Sequence, residues 1–133
     1  MRAFHYLVFI FGILLASCSF QSPTNVLEPE IFDKLSKEID GSVIVDVRTP
    51  EEFNEGFIPN AINIDYRGIE FEKQISELDT VKTYFVYCKS GGRSASVAFY
   101  MRRHSFKNVY ELKGGIENWK KKGFSIMAGK VAS

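Results

Sequence analysis

The sequence has few of the features that would announce a disulfide scaffold, a metalloprotein or a nucleic-acid binder. It has two cysteines in 133 residues and no Cys-x-x-Cys pair, which excludes a disulfide framework and a redox dithiol. Its 17 basic and 16 acidic residues leave a net charge of +1, so no large basic field is available for nucleic acid. With two histidines and no clustered ligand spacing, we expect neither a metal nor another cofactor.

Long apolar runs are also missing, because the longest apolar stretch, near the N-terminus, has only ten residues. Residues 7–16 are almost wholly apolar, which is half of the ~20 residues that a membrane-spanning helix needs. They follow Arg2 and end in Leu15-Ala16-Ser17-Cys18, a pattern typical of a secretory signal. The last four residues resemble the lipobox of bacterial lipoproteins. That resemblance implies cleavage before Cys18 and acylation of its sulfur and amine. The alternative is an ordinary cleaved signal in which Cys18 is incidental.

This interpretation divides the chain into three parts. Residues 1–17 are predicted to be a lipoprotein signal peptide, residues 18–25 a lipidated tether, and residues 26–133 the folded domain. The tether is polar and contains a proline, as expected of a short linker. We expect an exported monomer that is held on a bacterial membrane by its lipid and faces the periplasm. If Cys18 carries lipid, Cys88 is an unpaired thiol in an oxidising compartment.

Short β-branched or aromatic runs alternate with amphipathic segments along the rest of the chain. Strands are predicted at 43–45, 61–64, 83–87 and 108–112. Helices are predicted over 28–39, after Pro50, and over 70–78, 94–103 and 116–122. Such alternation indicates an α/β fold with a mostly parallel sheet of about five strands and helices on both faces.

The segment around Cys88 carries the clearest chemical signal. The strongest strand of the chain leads directly into Cys88-Lys89-Ser90-Gly91-Gly92-Arg93, and a helix follows. Ligands of parallel sheets bind beyond the carboxyl ends of the strands. Amides of a glycine-bearing loop and a helix N-terminus favour a thiolate there, and Lys89 and Arg93 add positive charge. The alternative, a buried inert cysteine, is the commoner fate of a lone cysteine but does not account for these neighbours.

The loop, continued by Ser94, resembles the active-site loop of rhodanese-domain sulfurtransferases, Cys-x-Ser-Gly-x-Arg-Ser. Three further blocks resemble the family in the same order: Asp46 to Phe53, Gly56 to Ile64, and Val109 to Gly115 followed by Trp119. Together the blocks cover most of the chain after the tether. Two positions depart from the family pattern, because Phe57 stands where histidine is common and Asn60 where glycine is common.

The resemblance implies a two-step transfer of sulfur. Cys88 would take the outer sulfur of a small anionic donor such as thiosulfate as a persulfide and pass it to cyanide or a thiol. The resemblance also implies that Lys89, Ser90, Gly91, Gly92 and Arg93 form the substrate-binding loop. Arg93 either faces the substrate or pairs with a carboxylate, for which Asp46, Glu52 and Glu55 are candidates. Asp46 and Arg48 are supporting residues, and Arg48 is expected to pair with Asp46 rather than with substrate.

Two other functions fit parts of the pattern. Dual-specificity phosphatases that share this fold use a Cys-x5-Arg loop, but four residues separate Cys88 from Arg93, and Tyr87 stands where those enzymes have histidine. A ring of amides with one residue fewer is too small for a phosphoryl group. A rhodanese fold can also serve as a non-catalytic binding or sensing module, although inactive members often lack the cysteine. Trp119, Ile116 and Leu112 are expected in the core, Tyr66 and Tyr87 in packing roles, and His104 in solvent or at a helix cap.

Overall fold

The computed structural model describes residues 25–129 of the chain. Five strands and five helices alternate over this range. The strands are β1 (Val26–Leu27), β2 (Val43–Asp46), β3 (Ile62–Asn63), β4 (Thr83–Tyr87) and β5 (Asn108–Leu112). The helices are α1 (Pro29–Glu38), α2 (Pro50–Glu55), α3 (Phe71–Ser76), α4 (Gly92–Arg103) and α5 (Gly115–Lys121). The strands form one parallel sheet in the order β1-β5-β4-β2-β3, which confirms the predicted class and strand number.

Helices cover both faces of the sheet, as the sequence predicted. On one face α3 and α4 bury Phe71, Ile75, Val97 and Met101. On the other face α1 and α5 bury the aromatic and aliphatic side chains Phe32, Ile116 and Trp119, with Leu112 from β5. The central strand β4 supplies both layers, because its successive side chains alternate between faces and all from Tyr84 to Tyr87 are buried.

The structure differs from the sequence predictions at several element boundaries. Strand β1 was not predicted, since two residues are too few to show a period; it is defined by pairing with β5, Val26 opposite Glu111. Helix α3 starts one residue later and ends two residues earlier than predicted, and β3 keeps two of four predicted residues. Helix α4 begins at Gly92 rather than at Ser94, so its first turn includes part of the Cys88 loop.

Helix α2 begins with the capping arrangement that its sequence indicated. Thr49 Oγ1 accepts from the Glu52 amide at 3.3 Å, and the Glu52 carboxylate accepts from the Thr49 amide at 3.0 Å. Pro50 occupies the first helical position, where a missing N–H costs nothing. The capping box therefore holds Glu52 in a defined position at the start of α2.

The predicted signal peptide and Cys18 lie outside the described residues, as does the tether apart from Asn25. The Asn25 carbonyl accepts from the Glu111 amide at 2.7 Å, beside the start of β1. Within residues 25–129, no helix is long and apolar enough to cross a membrane. Over the same range, no group of three or more His, Cys, Asp or Glu side chains is placed to hold a metal ion.

Candidate active site

Two strand ends and two helix starts converge around Cys88. Cys88 follows β4 directly, and Asp46 ends the adjacent strand β2, opposite Tyr87 in the register. Helices α2 and α4 begin at the same carboxyl edge of the sheet. Cys88 itself is only 1% exposed, so its sulfur lies beneath the loop that follows it. A reagent must therefore reach this thiol through the opening of the loop.

The backbone of the loop turns back onto the Cys88 sulfur. The Gly91 amide donates to Sγ at 3.1 Å, and the thiol donates to Ser94 Oγ at 3.5 Å. Ser94 Oγ in turn donates to the Gly91 carbonyl at 3.1 Å. Gly91 adopts φ +119°, a conformation that L-residues with side chains rarely take, and glycine is needed there to aim the amide.

These contacts change the acidity of the thiol. Burial raises the pKa of Cys88. Once the thiol is ionised it no longer donates, so the Ser94 hydroxyl turns from the Gly91 carbonyl to donate to Sγ. This hydrogen bond, together with those of the Ser94, Gly91 and Ser90 amides, lowers the pKa by more than burial raises it. The net pKa lies below the usual value for cysteine. The site thus favours a thiolate, which is the nucleophilic form of sulfur.

Arg93 is turned away from the loop opening by a bidentate ion pair with Glu52. Its Nη1 and Nη2 lie 2.6 and 2.8 Å from the two carboxylate oxygens. Of the three candidate partners for Arg93, the structure selects Glu52. The Arg93 hydrogen bonds, opposed by some burial, lower the pKa of Glu52 to about 2, and Glu52 and other acidic groups raise the pKa of Arg93. The pair connects the starts of α2 and α4.

Asp46 and Arg48 form a second ion pair, which is fully buried beneath the site. The Arg48 side chain donates through Nε and Nη2 to Asp46, the shortest distance being 2.7 Å, and Nη2 also donates to the Gly56 carbonyl. The guanidinium also lies 5.9 Å from the centre of the Tyr87 ring. Arg48 therefore pairs with Asp46, as expected, and ties the loop after α2 to β2.

The segment after β5 is hydrogen-bonded to the backbone of the Cys88 loop, a contact that the sequence did not predict. The Ile116 and Glu117 amides donate to the Cys88 and Lys89 carbonyls at 2.9 and 3.1 Å. Gly115 has φ +62°, and a Cβ on it would collide with the Lys89 backbone. Glycine at this position is thus required twice, by conformation and by close approach.

Ser94 and Glu52 were also not singled out as site residues before the structure. Both lay in the quoted family blocks, and Glu52 was one of three candidate partners for Arg93. The sequence predicted a helix after Pro50, but the use of the Glu52 carboxylate by both the helix cap and Arg93 depends on α2 and α4 meeting in space. Tyr87 does more than pack, because its hydroxyl accepts from the Ile58 amide at 3.0 Å.

The remaining loop residues are open to solvent. Lys89, Ser90 and Gly92 are exposed. Lys89 Nζ lies 3.8 Å from Glu117 in a pair whose two side chains are both mostly exposed, so the attraction is weak. Lys89 therefore provides a cation at the rim that is held less tightly than Arg93 or Arg48.

The two departures from the family pattern lie outside the Cys88 loop. Phe57 stacks on Phe53 with ring centres 4.2 Å apart, and its backbone pairs with Met127. Asn60 takes φ +66°, the turn conformation that asparagine tolerates. His104 is exposed at the C-terminal end of α4, where it stacks on Tyr100. The Cys88 loop lies at the opposite, N-terminal end of α4.

A parallel α/β sheet with a loop-bound cysteine at its carboxyl edge defines the class of this protein. The family model described as the rhodanese-like domain matches residues 29–122. The chain belongs to this family.

Several relatives carry sulfurtransferase names. The chain is 30% identical over 104 residues to a sulfurtransferase of Allochromatium vinosum, covering 78% of this chain and 95% of that protein. It is 38% identical over 81 residues to a thiosulfate sulfurtransferase, GlpE, of Pseudomonas syringae, covering 60% and 74%. A tRNA uridine(34) hydroxylase of Pelagibacter ubique is 32% identical over 108 residues, which are 80% of this chain but only 36% of the hydroxylase.

Solved structures show the same fold. A rhodanese-related protein of Thermoplasma volcanium superposes with a TM-score of 0.68 at 27% identity, over 77% of this chain and 96% of that one. A rhodanese-like domain protein of Staphylococcus aureus gives 0.65 at 27% identity, over 77% and 98%.

Proposed function

We infer that this protein is a sulfurtransferase that carries sulfur as a persulfide on Cys88. The observation that supports this most directly is the contact between the Gly91 amide and Cys88 Sγ, 3.1 Å long, within a loop that lowers the pKa of the thiol. The sulfurtransferase names of two relatives, of which the chain covers 95% and 74%, point the same way.

The first step is attack of the Cys88 thiolate on the outer sulfur of thiosulfate or a similar donor. A bond forms between Sγ and that sulfur, the S–S bond of the donor breaks, and sulfite leaves with its electron pair. In the second step a nucleophile, cyanide or a thiolate, bonds to the outer sulfur and Cys88 leaves as a thiolate. This is covalent catalysis of the ping-pong type.

The surrounding residues have distinct parts in this scheme. The amides of the loop hold the negative charge on sulfur in both the thiolate and the persulfide. Lys89 attracts an anionic donor to the rim. Arg93 and Arg48 act as positioning residues, because each is committed to a carboxylate.

The phosphatase alternative receives no support from this geometry. Arg93 is engaged with Glu52 rather than directed at the loop opening. The Gly91 amide is occupied by the sulfur itself. A non-catalytic binding module does not require an activated thiol. The assay described next distinguishes this alternative from a sulfurtransferase.

The test is sulfur transfer from thiosulfate to cyanide by the purified protein. We expect thiocyanate to form, and we expect Cys88→Ser to reduce its formation by a factor of about 10³ or more, since no other nucleophile replaces the thiol. Mass spectrometry after thiosulfate treatment should show one added sulfur on Cys88. An unchanged rate in the serine variant would sink the mechanism, and absence of transfer with the intact chain would favour a binding module.

The N-terminal features support a second proposal, that the protein is anchored by lipid at Cys18 and faces the periplasm of a bacterium. Its support is the ten-residue apolar run that ends in Leu15-Ala16-Ser17-Cys18. The intact mass of protein isolated from its own cell should show an acylated N-terminal Cys18. A free Cys18, or cleavage at another bond, would contradict this proposal.

A further inference from the structure

Helix α4 carries an unusual outer face. Its inner residues Val97, Ala98 and Met101 are fully buried, as expected of a core helix. On the outside Phe99 is 65% exposed, and nearby Tyr66, from the segment after β3, is 36% exposed. Single exposed apolar side chains are ordinary, but adjacent aromatic ones form a surface that needs an explanation.

These side chains line a groove that starts beside the catalytic loop. The α4 groove has a volume of about 670 Å³ and is lined by Tyr66, Ala95, Ser96, Phe99, Tyr100, Arg103 and His104. Ala95, Phe99 and Arg103 are four residues apart, so they form one stripe along the helix. With a rise of 1.5 Å per residue, the stripe runs about 12 Å from the loop end of α4 to its far end.

The aromatic side chains of the groove are braced rather than loose. Phe71 is edge-on to both Tyr66 and Tyr100, with ring centres 5.4 Å away in each case. A second hollow continues the surface past Tyr66 and Tyr100 and contains the exposed Ile69. Braced tyrosines and a phenylalanine are typical of the buried centre of protein interfaces, because they offer contact area at little conformational cost.

The two arginines along this surface form no ion pair with any described residue. Among residues 25–129, neither the Arg67 nor the Arg103 guanidinium has a carboxylate within 4 Å, whereas those of Arg48, Arg93 and Arg102 each have one. Two carboxylates lie near Arg67, because Glu72 lines the second hollow with it and Asp65 accepts from its amide. The surface is therefore suited to an apolar side chain followed by negative charge.

We propose that the α4 groove docks the sulfur acceptor, and that this acceptor is a protein or peptide thiol with an apolar residue and carboxylates near its cysteine. The proposal rests on the proposed function, because it names the acceptor of the same persulfide. Cyanide or a free small thiol would need no such groove. A membrane surface is the alternative occupant that the vesicle experiment below tests.

The geometry also sets the spacing in the acceptor. The persulfide places the reactive sulfur one S–S bond, about 2 Å, beyond Sγ. An extended chain spans about 3.3 Å per residue, so an apolar residue three positions from the cysteine lies about 10 Å from it, comparable with the ~10.5 Å rise of α4 from Gly92 to Phe99. An acid at the next position continues along the stripe toward Arg103. In transfer, the acceptor thiolate bonds to the outer sulfur, the bond to Sγ breaks, and its electron pair returns to Cys88.

The experiment uses a peptide that reads the same in both chain directions, Glu-Glu-Leu-Gly-Gly-Cys-Gly-Gly-Leu-Glu-Glu. A second peptide has lysine in place of every glutamate. Sulfur transfer from thiosulfate to each peptide and to cyanide is measured with the full chain. We expect the acidic peptide to be the better acceptor by about fivefold or more in kcat/KM, as an electrostatic contribution of about 1 kcal/mol would give.

Variants of the groove should change the ratio of peptide transfer to cyanide transfer. Phe99→Ala should lower this ratio about tenfold, and Arg103→Glu should lower it for the acidic peptide and raise it for the basic one. The matched controls are Val81→Ala, another exposed apolar residue, and Lys121→Glu, an exposed cation on α5. Both controls should leave the ratio within about twofold.

Binding is measured separately, so that the docking proposal and the proposed sulfur transfer are tested independently. A fluorescent acidic peptide with serine in place of cysteine should bind, and Phe99→Ala and Arg103→Glu should each weaken it. Binding without any sulfur transfer would overturn the proposed function and keep the docking surface. Transfer to cyanide with equal use of both peptides, and no effect of the groove variants, would overturn the docking surface alone.

Two results would assign the groove to a different occupant and overturn the proposal. One is sedimentation with phosphatidylglycerol vesicles that Phe99→Ala reduces, while the peptide ratio stays unchanged. The other is a concentration-dependent dimer of the chain that Phe99→Ala abolishes.

Discussion

The loop around Cys88 and the outer face of α4, the helix that follows it, are built on opposite principles. Around the loop, two arginines are neutralised at short range: Arg93 by Glu52, and Arg48 by Asp46. The sulfur is buried and held by amides. On the outer face, aromatic rings are exposed and Arg103 has no carboxylate within 4 Å in the described part of the chain.

The two regions differ because a reacting sulfur and a docking surface have different physical requirements. A reacting sulfur needs partners that do not reorganise during the reaction, because preorganised dipoles act without further cost. A docking surface needs the reverse, groups whose contacts are completed only by a partner. We therefore expect substitutions in the loop to alter folding and chemistry together, and those on the outer face to alter neither folding nor transfer to cyanide.

The largest expected effect is that of Gly115→Ala, which places a methyl group against the backbone of the Cys88 loop. Its Cβ would collide with the Lys89 backbone at a left-handed φ, so we expect a loss of about 2–4 kcal/mol in free energy of unfolding. A loop displaced by about 1 Å should also transfer sulfur about 10²-fold more slowly. Urea unfolding and the cyanide assay measure both.

Gly123→Ala is the matched control, because Gly123 also has a left-handed φ, +83°, but open space where its Cβ would lie. It should cost about 1 kcal/mol from backbone strain and leave transfer unchanged. Equal losses in the two variants would show that the close approach of Gly115 to Lys89 is unimportant.

The next effect comes from removing the charge of Glu52 with Glu52→Gln, which keeps an acceptor for the Thr49 amide but breaks the ion pair. The pKa of Glu52 is lowered from 4.5 to about 2, so its stabilisation is complete above about pH 5 and is lost as the pH falls through 2. Because the side chain is 27% exposed, we expect about 1–2 kcal/mol rather than the full shift.

Unfolding by urea at several pH values tests this expectation. The difference between the unmodified chain and Glu52→Gln should be largest near neutral pH and should shrink between pH 4.5 and pH 2. The matched control is Glu51→Gln, on the same turn but exposed, which should change the free energy of unfolding by no more than about 0.5 kcal/mol. A difference that is constant over this pH range would argue against the ion pair as the source of stability.

A smaller effect is expected on the reactivity of Cys88 from Ser94→Ala. Removal of the hydroxyl should raise the pKa of the thiol, because the hydrogen bond from Ser94 is the largest stabilising contribution to the thiolate. The midpoint of alkylation by iodoacetamide, followed at Cys88 by mass spectrometry, should move to higher pH. At neutral pH the rate should fall roughly fivefold, as expected for loss of one hydrogen bond of about 1 kcal/mol. Ser96→Ala, on the exposed side of α4, should leave the midpoint in place.

The smallest expected effect on stability is that of Phe99→Ala, on the outer face. Its side chain buries little area, so the free energy of unfolding should change by no more than about 0.5 kcal/mol. Met101→Ala, two residues along and fully buried, should cost about 2–5 kcal/mol. Thermal or urea unfolding of the pair would test the contrast, and comparable losses would mean that the outer face contributes to the fold.

The sequence by itself determined the fold class and the location of the chemistry. Strand β4 and the helix after it could be predicted because aromatic and β-branched residues lead into a glycine-bearing loop. A local pattern of this kind does not depend on the tertiary structure. The strands between β2 and β5 and most helices could be predicted for the same reason. Strand β1 could not, since its two residues are in a strand only because β5 lies beside them.

Only the tertiary structure decided which residues act together. Asp46, Glu52 and Glu55 were equal candidates for Arg93, and the packing of α2 beside α4 selected Glu52. The support of the Cys88 loop by Gly115, and the groove that Tyr66 forms with Phe99, likewise join residues far apart in the chain. Periodicity reports what a residue does within its own element, whereas pairing across elements depends on distances that only the packed sheet and helices establish.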